Sequence, residues 1–83
     1  MAENFEKMIT DLSEALRTGL TQEAESLAHQ ALEQGMAPLD IVQKILVPTL
    51  TSVGQRFQDF EIFLPELMMA GEAAEKVTEI VEA

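Results

Sequence analysis

Apolar residues recur along this chain at three- and four-residue steps in successive stretches, punctuated by glycine and proline. From about Glu3 to Thr18 the series Phe5, Met8, Ile9, Leu12, Ala15 and Leu16 marks one face of an amphipathic helix. Arg17 near its end suits the negative pole of the helix dipole, and Gly19 suits the left-handed position that closes a helix, with Leu20 as its apolar partner. A second helix is predicted from about Gln22 to Gln34. Thr21 is its expected N-cap, and Glu23 and Glu25 occupy the favourable first turn. Its apolar face is Ala24, Leu27, Ala28, Ala31 and Leu32, closed by Gly35 and Met36. Residues 15–20 echo residues 31–36, because both obey the same C-terminal capping grammar. Two helices are too few to establish a repeat array.

A third helix starts with Pro38 at its first position and Asp40 close behind. Leu39, Ile41, Val42, Ile45, Leu46, Leu50, Val53 and Phe57 carry the apolar pattern across Pro48. A proline there removes one backbone bond and crowds the preceding turn, so the helix must kink or break near Lys44–Val47. The apolar phase resumes beyond it, which favours one bent helix over two unrelated ones. After a polar joint at 58–61, Pro65 should force Leu64 out of helical geometry and open a fourth helix running to about Val81. Leu67, Met68, Ala70, Ala73, Ala74, Val77, Ile80 and Val81 form its broad apolar stripe. The expected architecture is all-α, a four-helix bundle with a proline-kinked third helix and short connections.

Composition narrows the function. The 83 residues suffice for one small domain, and 47% hydrophobic residues are too many for a disordered chain. Fifteen acidic residues against five basic ones give a net charge of −10. That balance argues against a nucleic-acid-binding surface and against docking on an anionic membrane, both of which need clustered Lys and Arg. With no Cys, a disulfide framework, a zinc finger and a thiol nucleophile are all ruled out. No apolar stretch resembles a leader or a membrane span, so the expected setting is soluble and cytoplasmic.

Candidates for catalysis are few. The single His29 falls off the apolar stripe of the second helix and has no His, Cys or Asp near it at ligand spacing, while Glu23, Glu25 and Glu33 sit on polar helix faces. A di-metal bundle would need inward Glu-x-x-His pairs, and none occurs. The Ser and Thr residues have no base beside them in sequence, and the glycines stand alone rather than in a phosphate loop. No catalytic residue and no metal ligand is assigned. The distinctive segment is 53–69, which holds Phe57, Phe60 and Phe63 with Met68 and Met69 just beyond. Two readings stand side by side. Phe57, Phe63 and Leu64 staple the joint onto the bundle, or they form an exposed apolar wall for a flat ligand or a partner helix.

The residues Gly35-Met36-Ala37-Pro38-Leu39-Asp40-Ile41-Val42, Leu46-Val47-Pro48, Val53-Gly54, Phe57 and Glu61-Ile62-Phe63-Leu64-Pro65-Glu66-Leu67-Met68-Met69 carry a resemblance. The chain resembles the N-terminal helical domain of corrinoid (cobalamin-binding) methyltransferase proteins of the methanol and methylamine type. It is also similar to the helical cap of cobalamin-dependent methionine synthase. The resemblance covers essentially all 83 residues. Two departures affect local shape: Ala37 stands where an Asp is common before the proline, and Asp59-Phe60 replaces a commoner glycine-containing joint.

The resemblance implies a cap over the upper, methyl-bearing face of cobalamin. Phe57, Leu64 and Leu67 would meet the methyl group and the corrin face, with Phe63 and Met68 as close neighbours. A dry apolar lid suits chemistry in which a nucleophilic reduced cobalt must be kept from water and oxidants. In such proteins the cobalt ligand is a His in an Asp-x-His-x-x-Gly motif on a Rossmann-like domain. This sequence has no such motif, so residues 1–83 are expected to be the cap alone, a fragment with little or no cobalamin affinity of its own. The implied partners are the Rossmann-like domain and corrinoid methyltransferases, with homodimerisation through the cap face as a further option. The rival reading is an acidic helical interaction module that dimerises or binds a partner helix through its Phe/Met surface.

Overall fold

The helices form around their punctuation. The structure, a computed structural model, describes residues 5–82, so the expected start of the first helix at Glu3 lies outside the described residues. Helix α1 spans Glu6–Arg17, α2 Thr21–Glu33, α3 Pro38–Ile41, α4 Val47–Gln58 and α5 Leu64–Glu82. A π turn, Val42–Leu46, joins α3 to α4 without leaving helical backbone, since Ile41, Leu46 and Val47 all keep right-handed helical angles. Residues 38–58 therefore make one Pro-containing helix, and the architecture is four helices with short joints. The described residues contain no strand.

The π turn is how the chain accommodates Pro48. A proline lacks the N–H that would bond four residues back, and its ring crowds that carbonyl; a widened turn relieves both demands. It also keeps the buried face in phase. Ile41, Ile45, Thr49 and Val53, each four residues apart, are all buried. An α-helix advances about 400° in four residues, so such steps drift by about 40° each, and the wider turn removes part of that drift.

Three joints close in the same way. At the end of α1, Gly19 N–H donates to the Leu16 carbonyl (3.1 Å) and Leu20 N–H to that of Ala15 (2.9 Å). At the end of α2, Gly35 bonds Leu32 (3.1 Å) and Met36 bonds Ala31 (3.0 Å). At the end of α4, Phe60 bonds Phe57 (3.1 Å) and Glu61 bonds Arg56 (2.8 Å). Each is a Schellman closure with its pivot at positive φ: +74° at Gly19, +98° at Gly35 and +63° at Phe60. The joint lacking glycine keeps its shape, at the expense of a phenylalanine in the left-handed region.

Three local expectations need correction. Thr21 is not the N-cap of α2. Leu20, which already completes the preceding closure, accepts the first helical bond from Ala24 N–H (2.8 Å), and Thr21 is drawn into the first turn without a capping hydrogen bond. Leu20 remains half exposed instead of folding fully back, resting in a shallow depression beside Ala15 and Leu27. Leu64 is likewise not excluded from helix by Pro65. It is the first residue of α5 and Pro65 the second, where a missing N–H costs nothing. Phe63 caps the helix: its carbonyl accepts from Glu66 and Leu67, and its N–H donates to Glu66 Oε1 at 3.0 Å. That is the reciprocal half of a capping box.

The main core cluster is built from α1, α2, the start of the third helix and the second half of α5. It holds Leu12 and Leu16 of α1, Ala24, Ala28 and Ala31 of α2, Ile41, Ile45 and Leu46, and Ala73, Ala74 and Val77 of α5. The facing alanines let α2 and α5 pack closely along one another. The cluster draws nothing from 47–72, the stretch comprising α4, the joint and the first two turns of α5. The molecule measures 43 × 22 × 17 Å, so it is about two helices thick and every helix keeps an exposed flank.

Candidate functional site

What α4, the joint and the start of α5 leave exposed is apolar. On α4, Val47, Leu50 and Phe57 follow one another at helical spacing on one flank, all exposed. On α5, Leu64 (54% exposed) and Met68 (64%) share a flank with the half-buried Leu67. Between the helices, Phe63 is 73% and Phe60 89% exposed. Phe57, at 37%, is the most sheltered of the aromatic residues in this region. The exposures exclude a staple at Phe63 and Leu64, because neither side chain is covered by the bundle. Phe57, Phe63, Leu64 and Met68 are exposed and Leu67 is half-buried, and none of the five belongs to the core cluster.

The orientation of this wall follows from what faces α1. On α4, Ser52 and Arg56 line shallow cavities shared with Arg17 of α1. On α5, Glu66 lines one of those cavities, and Met69 packs on Gly19, where an added Cβ would sit 2.6 Å from Met69 Cβ. The exposed stripes lie about half a helical turn away on each helix. Both therefore flank the side of the α4–α5 pair opposite α1.

Acidic side chains border these apolar residues, with Asp59 and Glu61 exposed in the joint and Glu72 exposed one turn beyond Met68. The cavity of about 270 Å³ on the α1 side is lined by Arg17, Thr18, Val53, Arg56, Ile62 and Glu66, and Arg17 pairs with Glu14 at 2.8 Å. It is small, mixed in polarity and unlike a site for a large flat ligand. Among the described residues no group of His, Asp or Glu is placed to hold a metal ion, and His29 is exposed on α2. No helix of the described residues is long and apolar enough to cross a membrane. The wall can thus exclude water and make dispersion contact, and it offers no donor to a metal. The feature that the periodicity passed over is Phe60, whose exposed ring on a left-handed backbone has no counterpart in any helical pattern.

Comparison with known proteins agrees with this arrangement. Residues 8–82 match the family model of the B12 binding domain. The chain is 36% identical over 76 residues to monomethylamine corrinoid protein 1 of Methanosarcina mazei, an alignment covering 92% of this chain and 35% of that protein. It is 37% identical over 79 residues to monomethylamine corrinoid protein 2 of Methanosarcina acetivorans, covering 95% and 35% respectively. With the trimethylamine corrinoid protein of Methanosarcina barkeri it shares 33% identity over 70 residues, 84% of this chain and 32% of that one. The chain thus spans about a third of the length of these relatives. No solved structure gives a significant match. An all-helical fold and a match over nearly the whole length place this chain in the B12-binding domain family, as a helical cap domain of corrinoid methyltransferase proteins.

Proposed function

We propose that this chain is the lid over the upper, methyl-bearing face of cobalamin in a methylamine-type methyl-transfer system. The observation that carries the reading is the apolar set of Phe57, Phe63, Leu64 and Met68, all exposed, with the half-buried Leu67, outside the core cluster of a B12-family domain. Such a wall fits the broad apolar face of a corrin ring. Cobalamin, when bound, carries the methyl group on its cobalt and supplies the chemistry of transfer.

The residues of this chain act on the surroundings of that chemistry. Phe57, Leu64 and Leu67 pack above the reacting face, and Phe63 and Met68 extend the contact at its rim. Together they exclude water from the site, which limits side reactions. The Met68 thioether is unbranched and polarizable, so it can adapt to an irregular ring edge. Because the wall supplies no metal ligand, the hold on the cofactor must come from a second, Rossmann-like domain, and the lid must swing aside for methyltransferases to reach the methyl group. No catalytic step is assigned to this chain.

The test is to let this chain replace the matching third of the Methanosarcina mazei monomethylamine corrinoid protein, loaded with methylcobalamin. Photolytic loss of the methyl group is then followed by absorbance. Phe57→Ser and Leu64→Ser are expected to accelerate it several-fold while the helical circular dichroism stays unchanged. Unchanged photolysis, together with loss of a dimer on sedimentation, would instead support an interaction module.

A further inference from the structure

Two glycines interrupt the exposed stripes. Gly54 lies in α4 between Leu50 and Phe57, and Gly71 lies in α5 one turn beyond Leu67 and Met68. A Cβ added at either would meet nothing within 4 Å in this chain. Neither has a positive φ, in contrast to Gly19 and Gly35. Packing inside the chain and backbone conformation therefore both permit alanine at these positions. A helix interior favours it, because glycine loses more conformational freedom on folding and leaves backbone exposed.

Their placement supplies a reason. Val47, Leu50, Gly54 and Phe57 are spaced three, four and three residues apart, which puts Gly54 in the middle of one apolar flank. Leu64, Leu67 and Gly71 are spaced three and four apart, with Met68 adjoining, which puts Gly71 at the C-terminal end of the other, one turn before the exposed Glu75. Each helix thus presents a bare stretch of backbone next to large apolar side chains, Leu50 and Phe57 beside Gly54 and Leu67 and Met68 beside Gly71. Both face away from α1, where nothing else in the chain approaches.

Resting on the cap reading above, we propose that Gly54 and Gly71 are positioning residues of the corrinoid-facing wall. Their missing side chains leave a shallow recess on each helix, into which the macrocycle and its peripheral groups settle. That close approach lets Phe57, Leu64 and Leu67 reach the reacting face. A methyl group at either position would hold the ring off the helices and open a water-filled gap beneath it.

The experiment separates this from any structural role by the opposite signs of two readouts. In the isolated chain, Gly54→Ala and Gly71→Ala should each raise the melting temperature by about 2–8 °C. In the methylcobalamin-loaded replacement protein, the same variants should accelerate photolytic methyl loss several-fold. A fall in melting temperature overturns the proposal, since the glycine would then serve the fold. Unchanged photolysis in the glycine variants, with faster loss in Phe57→Ser and Leu64→Ser, overturns the proposal and leaves the cap reading intact. Unchanged photolysis in all four variants overturns both.

Discussion

Gly19 and Gly35 close α1 and α2 through the same pair of backbone bonds, yet replacing them with alanine should have unequal effects. At Gly35, with φ +98°, an added Cβ meets nothing within 4 Å. Gly35→Ala should lose only the left-handed preference, partly offset by a stiffer unfolded chain, a net of about 1 kcal/mol. At Gly19, with φ +74°, the new Cβ would lie 2.6 Å from Met69 Cβ and 3.3 Å from the Met69 backbone carbon. Non-bonded carbons prefer about 3.5–4.0 Å, so the α1–α2 joint and α5 must separate by about an ångström. No rotamer change relieves this contact, because a Cβ is fixed by its backbone. Overpacking of this kind adds about 1–3 kcal/mol, for a total of about 2–4 kcal/mol. At about 0.05–0.15 kcal/mol per residue, 83 residues give a stability of about 4–12 kcal/mol, so this is a large share. Urea unfolding of both variants measures the difference directly from the midpoints at constant slope. Equal midpoints would refute the argument, showing that α5 does not press on that joint.

Three further outcomes follow from the same structure. Phe60→Gly removes a left-handed phenylalanine whose ring is almost fully exposed, and should stabilise the chain by about 0.5–1 kcal/mol in urea unfolding; destabilisation would mean that the ring packs on something. Ile45→Ala, at a fully buried position, should cost about 2–5 kcal/mol, whereas Leu39→Ala, 62% exposed, should change stability by less than about 0.5 kcal/mol. Comparable losses would contradict the placement of the core. Phe57→Ser combined with Leu64→Ser should leave the far-ultraviolet dichroism intact and shift the melting temperature by less than about 8 °C, because neither side chain belongs to the core cluster.

Much of the fold was legible along the chain. The apolar steps of α1 and α2 and the glycines that end them act within a few residues, and local bonding alone fixes their form. The same holds for Pro38 at the first position of its helix. Legibility failed where one residue could satisfy two neighbours at once. Leu20 serves as both the end of one closure and the N-cap of the next helix, which displaced Thr21 from its expected role. Leu64 entered α5 because Phe63 and Glu66 capped the helix one residue earlier than Pro65 implied. Pro48 was readable as a disturbance, but its resolution as a π turn depended on keeping Ile41, Ile45, Thr49 and Val53 facing inward together.

The candidate site divides along the same line. Sequence alone brought Phe57, Phe63, Leu64, Leu67 and Met68 to notice as a dense apolar segment, and its motif spacing carried the family. An apolar residue is equally at home in a core or on a wall, so sequence could not choose between a stapled joint and an exposed surface. Tertiary structure made that choice. The core cluster takes no residue from 47–72, and a body about two helices thick has no further layer to cover the outer flanks of α4 and the start of α5. It also gave the glycines separate meanings, since only the packed fold distinguishes Gly19, wedged against Met69, from Gly54 and Gly71, which face open space.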